Sequence, residues 1–455
     1  MQFPTGGDSP RAARQIRCNS EADSTVWMKE DRLRKRGFSF AGRTSSGIVI
    51  IPEFFAFSGV FSPDRIAFAA ALDHLVPGSF FVAEVSFLTD QNYMRRAIAL
   101  AEGGAGWVSP NPLVGAVIVK DGQIIGEGFH KKCGDLHAER NALAACTEDQ
   151  EGATMYVTLE PCCHTGRQPP CVEAILDAKL ARVFIGSRDP NPQVSGKGVE
   201  ILRRAGVEVI TDFLREECDA LNPVFFHYIQ TKRPYVVMKY AMTMDGKIAA
   251  WTGASKWVTG ESARLHVQGL RHRYRGIMVG LGTVLADDPL LTCRVEGGRN
   301  PVRIVCDTHL GTPLDCQLVQ TAHEVRTILA TCCTDEGRHK PYLDAGCTVL
   351  VTPERDGHVD LPHLMGQLGT LEIDSVLLEG GGTLNWAALE SGVVNKVCAY
   401  IAPKLFGGRD AKTPVEGAGV PTPVQAIHLT HSKLTHLGED ILIESEVDST
   451  VHGNC

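Results

Sequence analysis

The sequence predicts an α/β protein built from two domains. Three observations carry this: strand and helix signals alternate from Asp90 to Thr211, a second alternating series opens at Tyr235, and 455 residues exceed what one core of ordinary size holds. Hydrophobic residues make up 44% and charged residues 22%, enough apolar surface to fold with no bias towards wholesale disorder. The net charge of −8 gives no global attraction to a phosphate backbone, so no nucleic-acid partner is expected and an anionic ligand needs a local basic pocket. Fifteen cysteines, odd in number and spread from Cys18 to Cys455, do not form a compact disulfide framework, and a reducing cytoplasm is the expected setting. The apolar stretch from Gly47 to Phe61 is broken by Pro52 and Glu53 and is shorter than the roughly 20 residues that span a bilayer, so no transmembrane helix or membrane partner is expected.

Residues 1–88 show scattered Arg and Ser without period and receive no fold; a disordered or non-native extension is expected, whose removal leaves activity unchanged. A targeting leader is the weaker reading, because Glu21, Asp23, Glu30 and Asp31 are foreign to transit peptides. Order begins at Asp90, an N-cap for a helix carrying Met94, Ala97, Ile98 and Ala101. Leu113 to Val119 and Ile124 to His130 are β-rich runs joined by Asp121-Gly122, a hairpin signal. A helix from His137 to Cys146, a strand from Thr154 to Thr158, a helix after Pro170 and a strand from Arg182 to Gly186 follow. A helix at Val199 to Ala205 and a strand at Val207 to Thr211 complete the first domain, residues 89–233. Asn222 to Pro234 reads as a junction. The second domain, residues 234–455, has strand signals at Tyr235 to Tyr240, Gly276 to Gly280, Val302 to Asp307, Val325 to Ala330, Cys347 to Val351, Ser375 to Leu378 and Lys396 to Ile401.

His137-Ala138-Glu139 opens a predicted helix; Pro161-Cys162 begins 24 residues after His137 and is followed by Pro169-Pro170-Cys171. One imidazole and two thiolates are zinc ligands that leave a fourth tetrahedral position for water, the mark of a catalytic site. Zinc lowers the pKa of bound water to about 7, and Glu139, a carboxylate outside the ligand set, can move the proton. His137 and Cys171 are both expected at helix N-termini, where the dipole favours a thiolate and the prolines suit a helix start. Cys163 puts a third thiol beside the site.

These residues resemble the zinc-dependent cytidine deaminase superfamily, whose signature is H-x-E followed by P-C-x-x-C. Here eight residues separate Cys162 from Cys171, a longer form similar to the deaminase of riboflavin biosynthesis, as are Asn111-Pro112-Leu113-Val114-Gly115 and Gly126-Glu127-Gly128-Phe129-His130. The resemblance implies a cytidine-deaminase-like three-layer domain that hydrolyses the 2-amino group of 2,5-diamino-6-(5-phosphoribosylamino)pyrimidin-4(3H)-one. It makes His137, Cys162 and Cys171 ligands of Zn2+, Glu139 the proton shuttle, and Asn111, His130 and Arg167 substrate contacts. An arginine fork also suits a phosphate on general grounds.

In the second domain Glu379-Gly380-Gly381-Gly382-Thr383-Leu384 follows a strand and precedes a helical pattern from Leu384 to Leu389. Consecutive glycines let backbone N–H groups close on a phosphate, although the order is not that of a Rossmann fingerprint and a plain turn is the competing reading. The stretch Lys239 to Lys247 leaves the first strand of this domain, and Thr283 to Arg294 shows no regular period; in the latter, Asp287-Asp288-Pro289 by itself reads as a cap or turn. Residues 235 to 445 resemble the riboflavin-pathway reductase, a relative of dihydrofolate reductase, in which NADPH reduces the ribosyl group of the deaminated product to ribityl. The resemblance implies cofactor contacts at Ala241, Trp257, Thr283, Asp287, Thr308, Gly381, Gly382, Thr383 and Leu384. It implies substrate contacts at Ser255, Arg271, Leu291, Arg294 and Glu379, with Arg271 and Arg294 expected to hold the sugar phosphate and Asp287 and Lys239 to support proton transfer. Analogy with the family makes a homo-oligomer an expectation. A nucleoside or tRNA-base deaminase fused to an unrelated domain, and a binding module without turnover, are the rival readings; the cysteine spacing, the charge and the intact site residues stand against them.

Overall fold

The computed structural model describes residues 89–448 apart from 167, 192 and 193, and before residue 89 only short antiparallel strand pairs such as Ser39–Thr44 with Gly47–Ile51. The expectation of a disordered extension therefore falls largely outside the described residues, as does the position of Arg167.

Between residues 89 and 231 the chain runs α1 (Asp90–Ala101), β1 (Gly115–Lys120), β2 (Gln123–Phe129), α2 (Ala138–Ala144), β3 (Thr154–Leu159), α3 (Cys171–Asp177), β4 (Arg182–Ser187), α4 (Lys197–Arg204), β5 (Glu208–Ile210) and α5 (Pro223–Thr231). The sheet order is β5-β4-β3-β1-β2, with β3, β4 and β5 parallel and β1 antiparallel to both neighbours. Because side chains alternate along a strand, β1 buries Ala116 and Ile118 in one cluster and Val117 and Val119 in another, the latter with Tyr93, Met94 and Ala97 of α1. Burial on both faces is the three-layer arrangement that the apolar strands require. Strand and helix positions match the expected ones to within a few residues at their ends.

The second sheet is built from β6 (Tyr235–Thr243), β7 (Gly276–Gly280), β8 (Val302–Cys306), β9 (Thr327–Thr331), β10 (Thr348–Val351), β11 (Ser375–Leu378), β12 (Val394–Ala402), β13 (Leu429–Leu437) and β14 (Asp440–Val447). Its order is β10-β9-β8-β7-β11-β6-β12-β14-β13, parallel except for the antiparallel pairs that β14 makes with β12 and β13. Helices α6 (Glu261–Arg273), α7 (Leu281–Asp287), α8 (Leu361–Thr370) and α9 (Gly382–Glu390) contribute to its coverage. Val236 and Met238 enter one core, Tyr235 and Val237 the opposite one.

Three local readings change. The 222–234 junction is largely the helix α5, whose apolar residues are partly exposed on all sides and so show no single stripe. The aperiodic stretch from Thr283 begins inside α7, where Val284 is the one buried residue and a moment cannot develop. The terminal hairpin β13–β14 was not foreseen: β13, Leu429–Leu437, is an edge strand with mostly exposed positions and lacks a period-two signal.

Candidate active sites

His137 is the N-cap of α2 and Cys171 the first residue of α3, while Cys162 lies in the loop after β3. The ligating atoms of the three all lie within 4.8 Å of one another. His137 Nδ1 is 3.5 Å from Cys162 Sγ and 3.3 Å from Cys171 Sγ. Zinc bonds of about 2.0 Å to nitrogen and 2.3 Å to sulfur in a tetrahedron place N and S about 3.5 Å apart, so this donor set fits the ion. The Cys171 backbone N–H donates to Cys162 Sγ at 3.3 Å, the helix start thereby stabilising a thiolate. Hydrogen bonds from the Cys171 thiol and from His137 hold Cys162 down against burial, while the same sharing pushes Cys171 up.

Glu139 sits in the first turn of α2, buried, and burial together with the Cys162 thiolate pushes its carboxyl up to about 7. A carboxyl with this value can take a proton and return it near neutral pH. His130, buried just past β2, bonds through Nδ1 to the Leu136 carbonyl at 3.1 Å and through Nε2 to Asn111 Nδ2 at 3.1 Å. The first bond needs N–H on Nδ1, so Nε2 accepts from the Asn111 amide and the ring is neutral, in keeping with the lowering of its pKa by burial. Asn111, His130, His137, Glu139 and Cys162 line one cavity of about 370 Å³, the size of a small-molecule pocket.

The same cavity is lined by residues that sequence reasoning missed. Asp189 is buried, accepts the Asn191 backbone N–H at 2.8 Å, and is pushed up to about 6 by burial. Its signal was available: Asp189-Pro190-Asn191-Pro192 is a turn sequence at the end of a strand in the same parallel sheet. Glu160 accepts the Gly196 N–H at 3.0 Å and fixes the start of α4. Phe225, Tyr228 and Ile229 of α5 and Glu372 of the second domain close the wall, and no local signal pointed to them.

In the second domain, β6, β7, β8 and β11 point their carboxyl ends the same way, because the strands are parallel, and the glycine turn follows β11 between β7 and β6. Gly381 is the N-cap of α9, and a Cβ there would lie 3.9 Å from Thr283 Oγ1 in the first turn of α7. Neither helix has an acidic residue in its first turn. Two helix starts converging beyond the strand ends suit the diphosphate of a dinucleotide. Thr308 follows β8, Ala241 lies on β6, and Asp287 is the exposed last residue of α7. Trp257 is exposed, with the Arg264 guanidinium 4.7 Å over its ring.

At the end of β11, Glu379 accepts from Arg271 Nε and Nη2, both at 2.9 Å, and lies 3.9 Å from Lys239 Nζ. Burial would raise the Glu379 carboxyl, but the Arg271 and Lys239 charges override it and hold it at about 2. Burial lowers the Lys239 ammonium, against the pull of Glu379. The Arg271 fork, expected at a sugar phosphate, is thus turned to Glu379, and its Nη1 donates to the Thr292 carbonyl at 3.2 Å. Arg294 is exposed, whereas Leu291 is buried in the core with Ile277 and Val279. Ser255 is half-buried in the loop after β6.

Fold and sites together define a zinc-dependent deaminase joined to an NADPH-dependent reductase. The profile of the cytidine and deoxycytidylate deaminase zinc-binding region matches residues 88–187, and that of the RibD C-terminal domain matches residues 234–443. The riboflavin biosynthesis protein RibD of Actinobacillus pleuropneumoniae is 59% identical over 362 residues, 80% of this chain and 96% of that protein. The RibD of Escherichia coli K12 is 39% identical, over 78% of this chain and 99% of its own. The structure of Acinetobacter baumannii RibD superposes with a TM-score of 0.71 at 36% identity, covering 79% of this chain and 98% of that one. The chain belongs to the RibD family of bifunctional riboflavin biosynthesis enzymes. Its substrates are small phosphorylated pyrimidines, and among the described residues no helix is long and apolar enough to cross a membrane.

Proposed function

We propose that residues 89–233 hydrolyse the 2-amino group of a diaminopyrimidinone ribosylamine 5′-phosphate and that residues 234–455 reduce the ribosyl group of the product. The observation that carries the first half is the convergence of His137 Nδ1, Cys162 Sγ and Cys171 Sγ within 4.8 Å, with Glu139 in the same cavity. Those three side chains hold zinc, which when bound supplies a Lewis acid that makes water nucleophilic near neutral pH. Glu139 accepts the proton of the attacking water and delivers it to the departing amine, so that the C–N bond breaks with release of ammonia. Asn111, oriented by His130, bonds the pyrimidinone, and Arg167 meets the phosphate.

In the second half Ala241, Trp257, Thr283, Asp287, Thr308 and the turn Gly381-Gly382-Thr383-Leu384 bind NADPH, which supplies the hydride. Ser255, the Leu291 backbone, Arg294, Arg271 and Glu379 receive the sugar, with Arg294 as the cation for its phosphate because Arg271 is held by Glu379. Lys239, beside Glu379, supports the proton balance of the reduction. We also infer a cytoplasmic homo-oligomer; no disulfide links the described cysteines.

The Glu139→Gln variant tests the assignment. Ammonia release is expected to fall about 100- to 10,000-fold, the range for loss of a general acid–base group, with NADPH oxidation on the deaminated substrate retained. Full ammonia release by this variant would remove Glu139 from the mechanism.

A further inference from the structure

The loop from Ala105 to Asn111 belongs to the deaminase domain but is held by side chains of the reductase domain. His272 Nε2 donates to the Ala105 carbonyl at 3.1 Å, and Arg299 Nε donates to the Gly106 carbonyl at 2.8 Å. The Arg299 backbone N–H donates to His272 Nδ1 at 3.0 Å. With Nδ1 an acceptor and Nε2 a donor, the imidazole is one defined neutral tautomer, and burial lowers its pKa accordingly. The Trp107 ring meets the His272 ring edge-on with centroids 5.3 Å apart. Gly106 has φ +79°, and a Cβ there would lie 2.5 Å from His272 Nε2, so this close approach needs glycine. At the start of β11, the buried Asp374-Ser375 pair does the same job: Ser109 Oγ donates to Asp374 Oδ2 at 2.6 Å, and Ser375 Oγ donates to Asp374 Oδ1 at 2.7 Å.

We propose that His272, Arg299 and Asp374 are positioning residues for deamination, acting through the loop that ends at Asn111. The proposal rests on the reading of Asn111 as a substrate contact. A loop that exposes two carbonyls and a hydroxyl to another domain is placed by that domain, and Asn111 follows Ser109 by two residues. The Asn111 amide can keep its 3.1 Å bond to His130 Nε2 only while the loop keeps its place. His272 follows Arg271, so adjacent residues of α6 serve the two sites, one facing Glu379 and one facing the deaminase loop.

The test is steady-state deamination by the full-length, zinc-loaded protein with the diaminopyrimidine phosphate as probe, for His272→Ala, His272→Gln, Asn111→Ala and the double variant. Loss of one or two hydrogen bonds is expected to raise KM about 5- to 10-fold in His272→Ala with kcat little changed. The Gln side chain, which can donate to the Ala105 carbonyl, is expected to recover most of that loss. If His272 acts through Asn111, the double variant is no worse than Asn111→Ala alone, a non-additivity that general destabilisation does not produce. An unchanged KM in His272→Ala, or losses that add in the double variant, overturns the proposal. A normal KM in Asn111→Ala beside a raised KM in His272→Ala would instead remove Asn111 as the contact, and with it the route proposed here. Should His272→Ala fail to fold, Ser109→Ala, which deletes the loop side of the Asp374 bond, takes its place in the same cycle with the same expected and overturning results.

Discussion

Glu379 shows how a single carboxylate can be held ionised in a site with little solvent exposure. Its two hydrogen bonds from Arg271 and the nearby Lys239 lower its value from the ordinary 4.5 to about 2. A carboxyl lowered on folding stabilises the native state above its unfolded value, and that contribution fades as the pH drops from 4.5 towards 2. The shift corresponds to about 3 kcal/mol at neutral pH. Glu379→Gln is therefore expected to lower the urea midpoint at neutral pH, leaving two buried cations without a counter-charge, and to lose the part of the acid sensitivity that wild type shows in this window. Identical urea midpoints for variant and wild type at neutral pH would mean that the cluster contributes nothing net. At the first site the side chains that the fold brings together, His137, Cys162, Cys171 and Glu139, were all readable in the sequence, because their chemistry is carried by residue type and short spacing. The pairing of Arg271 with Glu379 was not, since 108 residues separate them and only the packing of α6 beside β11 brings them together.

Among the elements, α9 depends on a missing side chain. A Cβ on Gly382 would lie 2.4 Å from Glu416 Cγ and 2.8 Å from the Thr413 carbonyl, contacts too short to be absorbed without moving the 413–416 segment. That segment also bonds to the helix start, through Glu416 N–H to the Gly382 carbonyl at 3.1 Å. Gly382→Ala is expected to shift the N-terminus of α9 and raise the KM for NADPH about tenfold, while ammonia release follows wild type. An unchanged KM for NADPH would show that the helix start is not part of the cofactor site. The strands before and after this helix in the chain were legible as apolar runs, since a strand buried on both faces needs no alternation. The helix α5 and the edge strand β13 were not, because α5 is apolar on several sides and β13 is polar along most of its length.

At the scale of the molecule, the two largest sheets among the described residues belong to the two halves, and the His137–Cys162–Cys171 cluster lies beside one of them alone. Stripping the metal with a chelator is expected to abolish ammonia release and leave NADPH oxidation on the deaminated substrate, with zinc restoring the first activity; loss of both reactions together would tie the reductase fold to the metal. Separate chemistry does not mean separate construction, since Glu372 lines the deaminase cavity and Tyr228 Oη donates to the Gly369 carbonyl at 3.0 Å across the domain boundary. The amino-acid order by itself determined the α/β class, the alternation of strands and helices and the glycine turn after a strand, because periodicity, caps and residue spacing act over a few residues. The tertiary structure alone decided that Arg271 faces Glu379, that Leu291 belongs to the core, and that reductase side chains hold the Asn111 loop. Those contacts join surfaces more than a hundred residues apart in several cases, and they arise from how the sheets and helices pack, for which no local pattern exists.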